Sequence, residues 1–202
     1  MRAWIYDKFF HPLSRRWYRS ILSSLPEGSR ILDVGIGTGS SLISNADLII
    51  ERNMNVTGID IDPQYLEACR KKIENDNLSR YIHVREQSVY NLDRSEEFDA
   101  VYFSASFMLL PDQKKALEVI KHCLSTEGLV CFTQTFESKR TRFWEIVKPL
   151  LVRITTIHFG VVTYEKPFLE LLSDCGFEVV KNELIMKRGA NRHMKAIMAK
   201  VV

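Results

Sequence analysis

Leu32-Asp33-Val34-Gly35-Ile36-Gly37-Thr38-Gly39 is an apolar run that breaks into three closely spaced glycines. The run itself, Arg30–Val34 (RILDV), has the composition of a buried strand, and a helical pattern follows over roughly Ser40–Arg52, with Leu42, Ile43, Leu48, Ile49 and Ile50 as its apolar face. Glycines at a strand-to-helix turn let the backbone approach a ligand, and the next helix offers unpaired N–H groups. A dinucleotide fingerprint needs G-x-G-x-x-G/A. Here the position three after Gly37 is Ser40, and the third glycine comes one residue early. Asp33, two residues before Gly35, would repel a pyrophosphate but suits an ammonium or sulfonium charge. The spacing therefore predicts a cationic nucleoside and not NAD.

The next segments extend this reading. Val56–Asp60 is a second strand, and Asp60 at its end is placed to accept hydrogen bonds from ribose hydroxyls. Asp62-Pro63 opens a helix, with Asp62 as N-cap and Pro63 in the first turn; Tyr65, Leu66, Cys69 and Ile73 form the apolar face. Tyr81–Arg85, Ala100–Ser104 and Gly128–Gln134 read as strands, and Pro111–Leu124 as a helix. A helix over about Lys166–Cys175 stops at Gly176. Phe177–Met186 and His193–Val201 are then two strands joined by six residues, which predicts an antiparallel hairpin. Alternating strands and helices with a terminal hairpin mean an open, mostly parallel α/β sheet with one reversed strand.

ILDVGIGTG followed by VTGIDIDPQYL resembles the class I S-adenosylmethionine (SAM)-dependent methyltransferases. FDAVYFSASFMLLPD and GLVCFTQTF fall where that family's fourth and fifth strands belong, and Tyr6-Asp7-x-Phe9 is similar to its small-molecule (ubiquinone/menaquinone-type) branch. The resemblance implies one domain over residues 1–202, a Rossmann-like seven-stranded sheet of order 3-2-1-4-5-7-6 with strand 7 antiparallel, and helices on both faces. Residues 1–28 would form a helical N-terminal cap and 136–165 a substrate lid. It further implies methyl transfer from SAM to a small-molecule acceptor by in-line displacement, without a metal.

Carried over by position, Gly35, Ile36, Gly37 and Gly39 lie along the methionine part of SAM, with Asp33 and the Ser104 carbonyl near its ammonium. Asp60 holds the ribose, Ile61 and Tyr65 flank the adenine, and Tyr6 closes the site from the N-terminus. Ser88-Val89 stands where the family has Asp-Ala, so the adenine amine loses a carboxylate, which Ser88 or Gln87 replaces more weakly. If the acceptor must lose a proton, Tyr6, His11, Glu137 and Tyr164 are the candidate bases.

Composition sets limits on the rivals. The 202 residues are 46% hydrophobic and 26% charged, with a net charge of +3, too mild to demand a nucleic acid. Cys69, Cys123, Cys131 and Cys175 form no CxxC pair, and the five histidines show no metal-ligand spacing. Asp7, Lys8, Arg15 and Arg16 interrupt any signal-peptide core, and no uncharged run approaches a membrane span, so the expectation is a cytoplasmic monomer or homodimer. Strand four ends Ser104-Ala105-Ser106-Phe107 and not (D/N)PP(Y/F), against adenine-N6 or glutamine methylation. The basic residues Lys139, Arg140, Arg142, Lys148 and Arg153 all fall in the lid. The alternatives kept open are an RNA- or protein-directed methyltransferase and a non-catalytic partner subunit of the same fold.

Overall fold

Strand β1 (Arg30–Val34) forms where the sequence predicts it, and its neighbours build outward on both sides. The computed structural model describes residues 14–137, 163–187 and 191–202. Tyr6, His11, the basic lid cluster and the chain from 138 to 162 lie outside those residues. A helix over 14–24 (α1) precedes β1. After it come α2 (Ser40–Ile43), α3 (Ala46–Glu51), β2 (Asn55–Asp60), α4 (Pro63–Asn75), β3 (Ile82–Glu86), β4 (Phe98–Ser104) and α5 (Gln113–Lys121). The remainder is β5 (Leu124–Glu137), β6 (Thr163–Tyr164), α6 (Glu165–Asp174), β7 (Phe177–Lys187) and β8 (Arg192–Val201).

The main path of the sheet is β3-β2-β1-β4-β5-β8-β7, and only β8 runs against its neighbours. With the terminal hairpin strands counted as six and seven, this is the expected order. The structure adds an eighth strand, the two-residue β6, which pairs in parallel with Phe136 and Glu137 of β5. β4 pairs with β5 only as far as Thr133, so that side of β5 has room for β6 further along.

Strand alternation divides the core. Ile31 faces a cluster closed by Tyr18 and Ile21 of α1, Leu42 of α2, Ile49 of α3, and Leu66 and Cys69 of α4. Leu32 and Val34 face a second cluster closed by Leu117 and Ile120 of α5 and Phe168 and Leu172 of α6. On that second face Phe132 stacks on Phe103 at 5.4 Å and meets Phe107 and Phe168 edge-on at 4.9 and 5.0 Å. Each such pair adds about 0.5–1.5 kcal/mol beyond burial, so the loop after β4 is tied to β5 and α6.

Three boundaries differ from the sequence reading. The single helix expected over Ser40–Arg52 is two, because Ser44 Oγ donates to the Ser40 carbonyl and Asn45 Nδ2 to that of Ser41. Such side chains compete with the helical ladder and break it; Ile50, placed on the apolar face, is 46% exposed. α5 is shorter than Pro111–Leu124 because Asp112 caps it, accepting from Lys115 N at 2.9 Å. β5 is twice the expected length, with a bulge between Phe98 and Ala100 admitting Leu124 into the pairing. The expected lid keeps 136–137 in β5 and 163–164 in β6.

Candidate functional site

The backbone turns away from β1 through Gly35, whose N–H donates to the Ile59 carbonyl at 2.8 Å. Its φ of +78° is a conformation that side-chain-bearing residues resist, and a Cβ there would stand 2.6 Å from Cβ of Ser106. Glycine is therefore required for the loop after β4 to close over the turn, where Ser106 Oγ donates to the Val34 carbonyl. Gly37 differs. Its φ is also positive, +59°, but among the described residues nothing lies within 4 Å of the position a Cβ would take. Within the described residues the turn thus packs on protein at Gly35 and is open at Gly37. Ile36 between them is 6% exposed. Gly39, also left-handed, leads into α2.

Asp60 ties the second strand to this turn. One carboxylate oxygen accepts from Gly37 N at 2.9 Å and the other from Asp62 N at 3.0 Å. A carboxylate has about four acceptor sites, so these two bonds leave capacity for a pair of hydroxyls. Asp62 accepts from Gln64 N at 2.9 Å, the N-cap expected of it. Ile61 beside it is 73% exposed and Tyr65 half-buried, an apolar ledge next to Asp60.

Asp33 is 1% exposed. The Tyr18 hydroxyl donates to its Oδ2 at 2.7 Å, while Oδ1 is buried with no partner among the described residues. Burial, reinforced by the charge of Asp60 and opposed by the Tyr18 hydrogen bond, pushes the Asp33 carboxyl up to about 7. Burial, with Asp33 nearby, likewise raises the Cys69 thiol to about 12, so it stays protonated. A buried carboxyl with one unpartnered oxygen is costly by itself and is relieved by a cation bearing N–H donors.

Ser104 ends β4, and Ala105 follows at φ +54°, its N–H donating to the Thr133 carbonyl at 2.8 Å. Left-handed backbone at an alanine costs roughly 1–2 kcal/mol and turns the chain sharply at the carboxyl ends of the strands. On the other flank Ser88 Oγ accepts from Tyr90 N at 3.4 Å, capping a short turn, and Val89 is 3% exposed within the core. Gln87 donates its side-chain amide to the Asn91 carbonyl at 2.9 Å. Asp33, the glycine turn, Asp60 and Ser104 thus sit on three adjacent strands, β2-β1-β4, at their carboxyl ends.

Two of the four candidate bases are brought together, since Glu137 and Tyr164 pair across β5 and β6. Glu137 Oε1 accepts from Arg192 Nε at 3.0 Å and Nη2 at 2.7 Å, and the buried Tyr164 hydroxyl has no partner among the described residues. The sequence reading missed three features. Tyr18 lies in a helical pattern whose spacing says nothing of its partner on β1. Glu165 gathers Lys195, Asn182 Nδ2 at 3.0 Å and His193 at 3.4 Å from elements far apart in sequence. Gln134 is 1% exposed with both amide atoms unpartnered among the described residues, a burial that costs about 1–3 kcal/mol for each group left unsatisfied. Its position two residues from both Phe132 and Phe136 was the available signal: a polar residue on the inward parity of an apolar strand.

Residues 31–128 match the family model described as a methyltransferase domain. The aklanonic acid methyltransferase of Streptomyces sp. (strain C5) is 32% identical over 132 residues, 62% of this chain and 56% of that protein. The ubiquinone/menaquinone biosynthesis C-methyltransferase of Wigglesworthia glossinidia brevipalpis is 30% identical over 117 residues, 56% of this chain and 46% of that protein. The chain therefore spans about half the length of these relatives. A SAM-dependent methyltransferase structure from Aquifex aeolicus superposes with a TM-score of 0.70 at 18% identity, covering 92% of this chain and 89% of that one; the likeness is one of fold.

Proposed function

We propose that the chain, whose residues 31–128 match a model described as a methyltransferase domain, is a class I SAM-dependent methyltransferase that transfers a methyl group from SAM to a small-molecule acceptor. The observation that carries the reading is the buried, half-satisfied Asp33 beside the glycine turn and Asp60. The residues present suit that co-substrate. Asp33 Oδ1 meets an ammonium, Asp60 has acceptor capacity for two ribose hydroxyls, and the ledge of Ile61 and Tyr65 covers an adenine. Gly37 leaves the space that the methionine part requires.

When bound, SAM supplies a methyl group already activated on a sulfonium. What remains for the chain is alignment and exclusion of water, which together supply up to about 7–11 kcal/mol. Tyr18 and the α1 helix close one side of the Asp33 carboxyl, and Ser106 locks the β4 loop onto the turn. If the acceptor carries a proton to be lost, Glu137 and Tyr164 stand at the carboxyl end of β5, and Tyr6 and His11 belong to the N-terminal segment. The small-molecule assignment draws on the relatives, whose names specify aklanonic acid and the biosynthesis of ubiquinone and menaquinone.

Isothermal calorimetry with SAM and with its demethylated product S-adenosylhomocysteine (SAH) tests the first step. Micromolar binding of both is expected, and no heat at millimolar ligand would overturn the reading. Release of SAH over a panel of phenols, enols, amines and carboxylates then tests transfer.

A further inference from the structure

β5 is paired with β8 without interruption from Leu129 to Glu137, but its other edge is not continuous. β4 accompanies it as far as Thr133, where the Ala105 N–H takes the Thr133 carbonyl. β6 begins only at Phe136. Gln134 and Thr135 therefore sit in a notch between two partner strands, at the carboxyl end of the sheet, next to the left-handed turn at Ala105. By strand alternation Gln134 shares a face with Phe132, Phe136 and its cross-strand partner Lys195. This residue is 1% exposed, and among the described residues neither its amide nitrogen nor its amide oxygen has a partner.

From this geometry we infer that the notch is the methyl-acceptor subsite and that the Gln134 side chain reads a neutral acceptor presenting a carbonyl beside an N–H or O–H. The inference rests on the methyl-transfer reading above. A primary amide offers one acceptor and two donors side by side, so it pairs in bidentate fashion with a group carrying the complementary pair, as in a lactam, an imide or an enolised carbonyl. Neutrality follows from the neighbours. Among the described residues the cations beside it already face carboxylates, Lys195 that of Glu165 and Arg192 that of Glu137. A site built to hydrogen-bond a substrate rejects analogues that lack the matching group much more strongly than a purely apolar one does.

The test uses the full chain loaded with SAH and two small probes, 2-pyridone, a cis-lactam, and N-methyl-2-pyridone, which lacks the N–H. Ligand-observed NMR should show millimolar binding of the first and at least tenfold weaker binding of the second. In Gln134→Met, a volume-conserving change, that discrimination should vanish while SAH affinity holds and the melting temperature stays level or rises, since a buried unsatisfied amide is removed. Gln134→Asn, which keeps the amide on a shorter stem, serves as the second variant and should retain part of the preference. Equal binding of the two probes to the wild type, or discrimination surviving in Gln134→Met, would overturn the inference with the methyl-transfer reading intact. Failure of the wild type to bind SAH overturns the methyl-transfer reading itself, and this inference with it.

Discussion

The phenolic hydroxyl of Tyr18 reaches Oδ2 of Asp33 at 2.7 Å and leaves Oδ1 as a buried atom without a partner among the described residues. One helix thereby fixes which oxygen of the carboxylate is left for the proposed ligand. Tyr18→Phe keeps the edge-on packing against Tyr102 at 4.9 Å but removes the hydrogen bond. A hydrogen bond to a charged group is worth about 1.5–3 kcal/mol, so SAH affinity at pH 7 should fall roughly tenfold or more. Calorimetry of the variant reads this directly, and an unchanged affinity would mean Asp33 needs no help from α1.

The same carboxyl makes binding depend on pH. Its proton is held to about 7 in the ligand-free fold, and an ammonium prefers the ionised form. SAH affinity should therefore rise from pH 5 to about 7, by at most tenfold per unit, and then level off. In Tyr18→Phe the plateau should start at higher pH, because a bond that lowers the pKa is gone. For stability the sign is opposite. The folded state binds the proton more tightly than the unfolded chain, so this group's contribution declines as pH rises from about 4 to about 7. Asp33→Asn should lose that decline and outlast the wild type in urea at pH 8, by roughly 4 kcal/mol at most at 1.36 kcal/mol per unit, while losing SAH binding.

Much of this site was legible in the sequence because its signals are local. Asp33, the glycines, Asp60 and the Asp62 cap all lie at strand ends, where residue type and spacing report backbone geometry directly. The mostly parallel sheet with one reversed strand followed from the alternation of elements and the terminal hairpin, and the strand order from the family resemblance. What the sequence did not disclose depends on contacts between distant segments. Tyr18 meets Asp33 only because α1 packs over β1, and β6 joins β5 beyond Thr133, where its pairing with β4 ends at Ser104. The break at Ser44-Asn45 was within reach, since both residue types bond back to the helix, but the apolar spacing across it masked the signal.

Gly35 and Gly37 should separate stability from binding. Gly35→Ala places a Cβ 2.6 Å from Ser106 Cβ and keeps a left-handed φ. Strain of about 1–2 kcal/mol and overpacking of about 1–3 kcal/mol should together lower stability by roughly 2–5 kcal/mol in urea denaturation. Ser106→Gly in the same chain should recover only the packing part. Gly37→Ala meets nothing within 4 Å among the described residues, so its cost in stability should be only the backbone strain. Its methyl group enters the open space, and SAH affinity should drop well beyond the loss in stability. Equal effects of the two alanines on both measurements would mean that the open side of Gly37 is not ligand space.

Asp60 has two tasks that a single substitution confounds. Its carboxylate holds the Gly37 and Asp62 amides, and in the proposed complex it also receives the ribose. Asp60→Ala should weaken SAH about 30-fold or more, but part of that loss belongs to the loosened turn. The ribose share is isolated by pairing the variant with a ligand that lacks one hydroxyl. Wild type should bind the 2′-deoxy analogue of SAH about tenfold more weakly than SAH, a hydrogen bond to a charged group. Asp60→Ala, having no carboxylate to lose, should bind the two alike. If the variant still discriminates, the ribose is held elsewhere, and Asp60 serves only to shape the glycine turn.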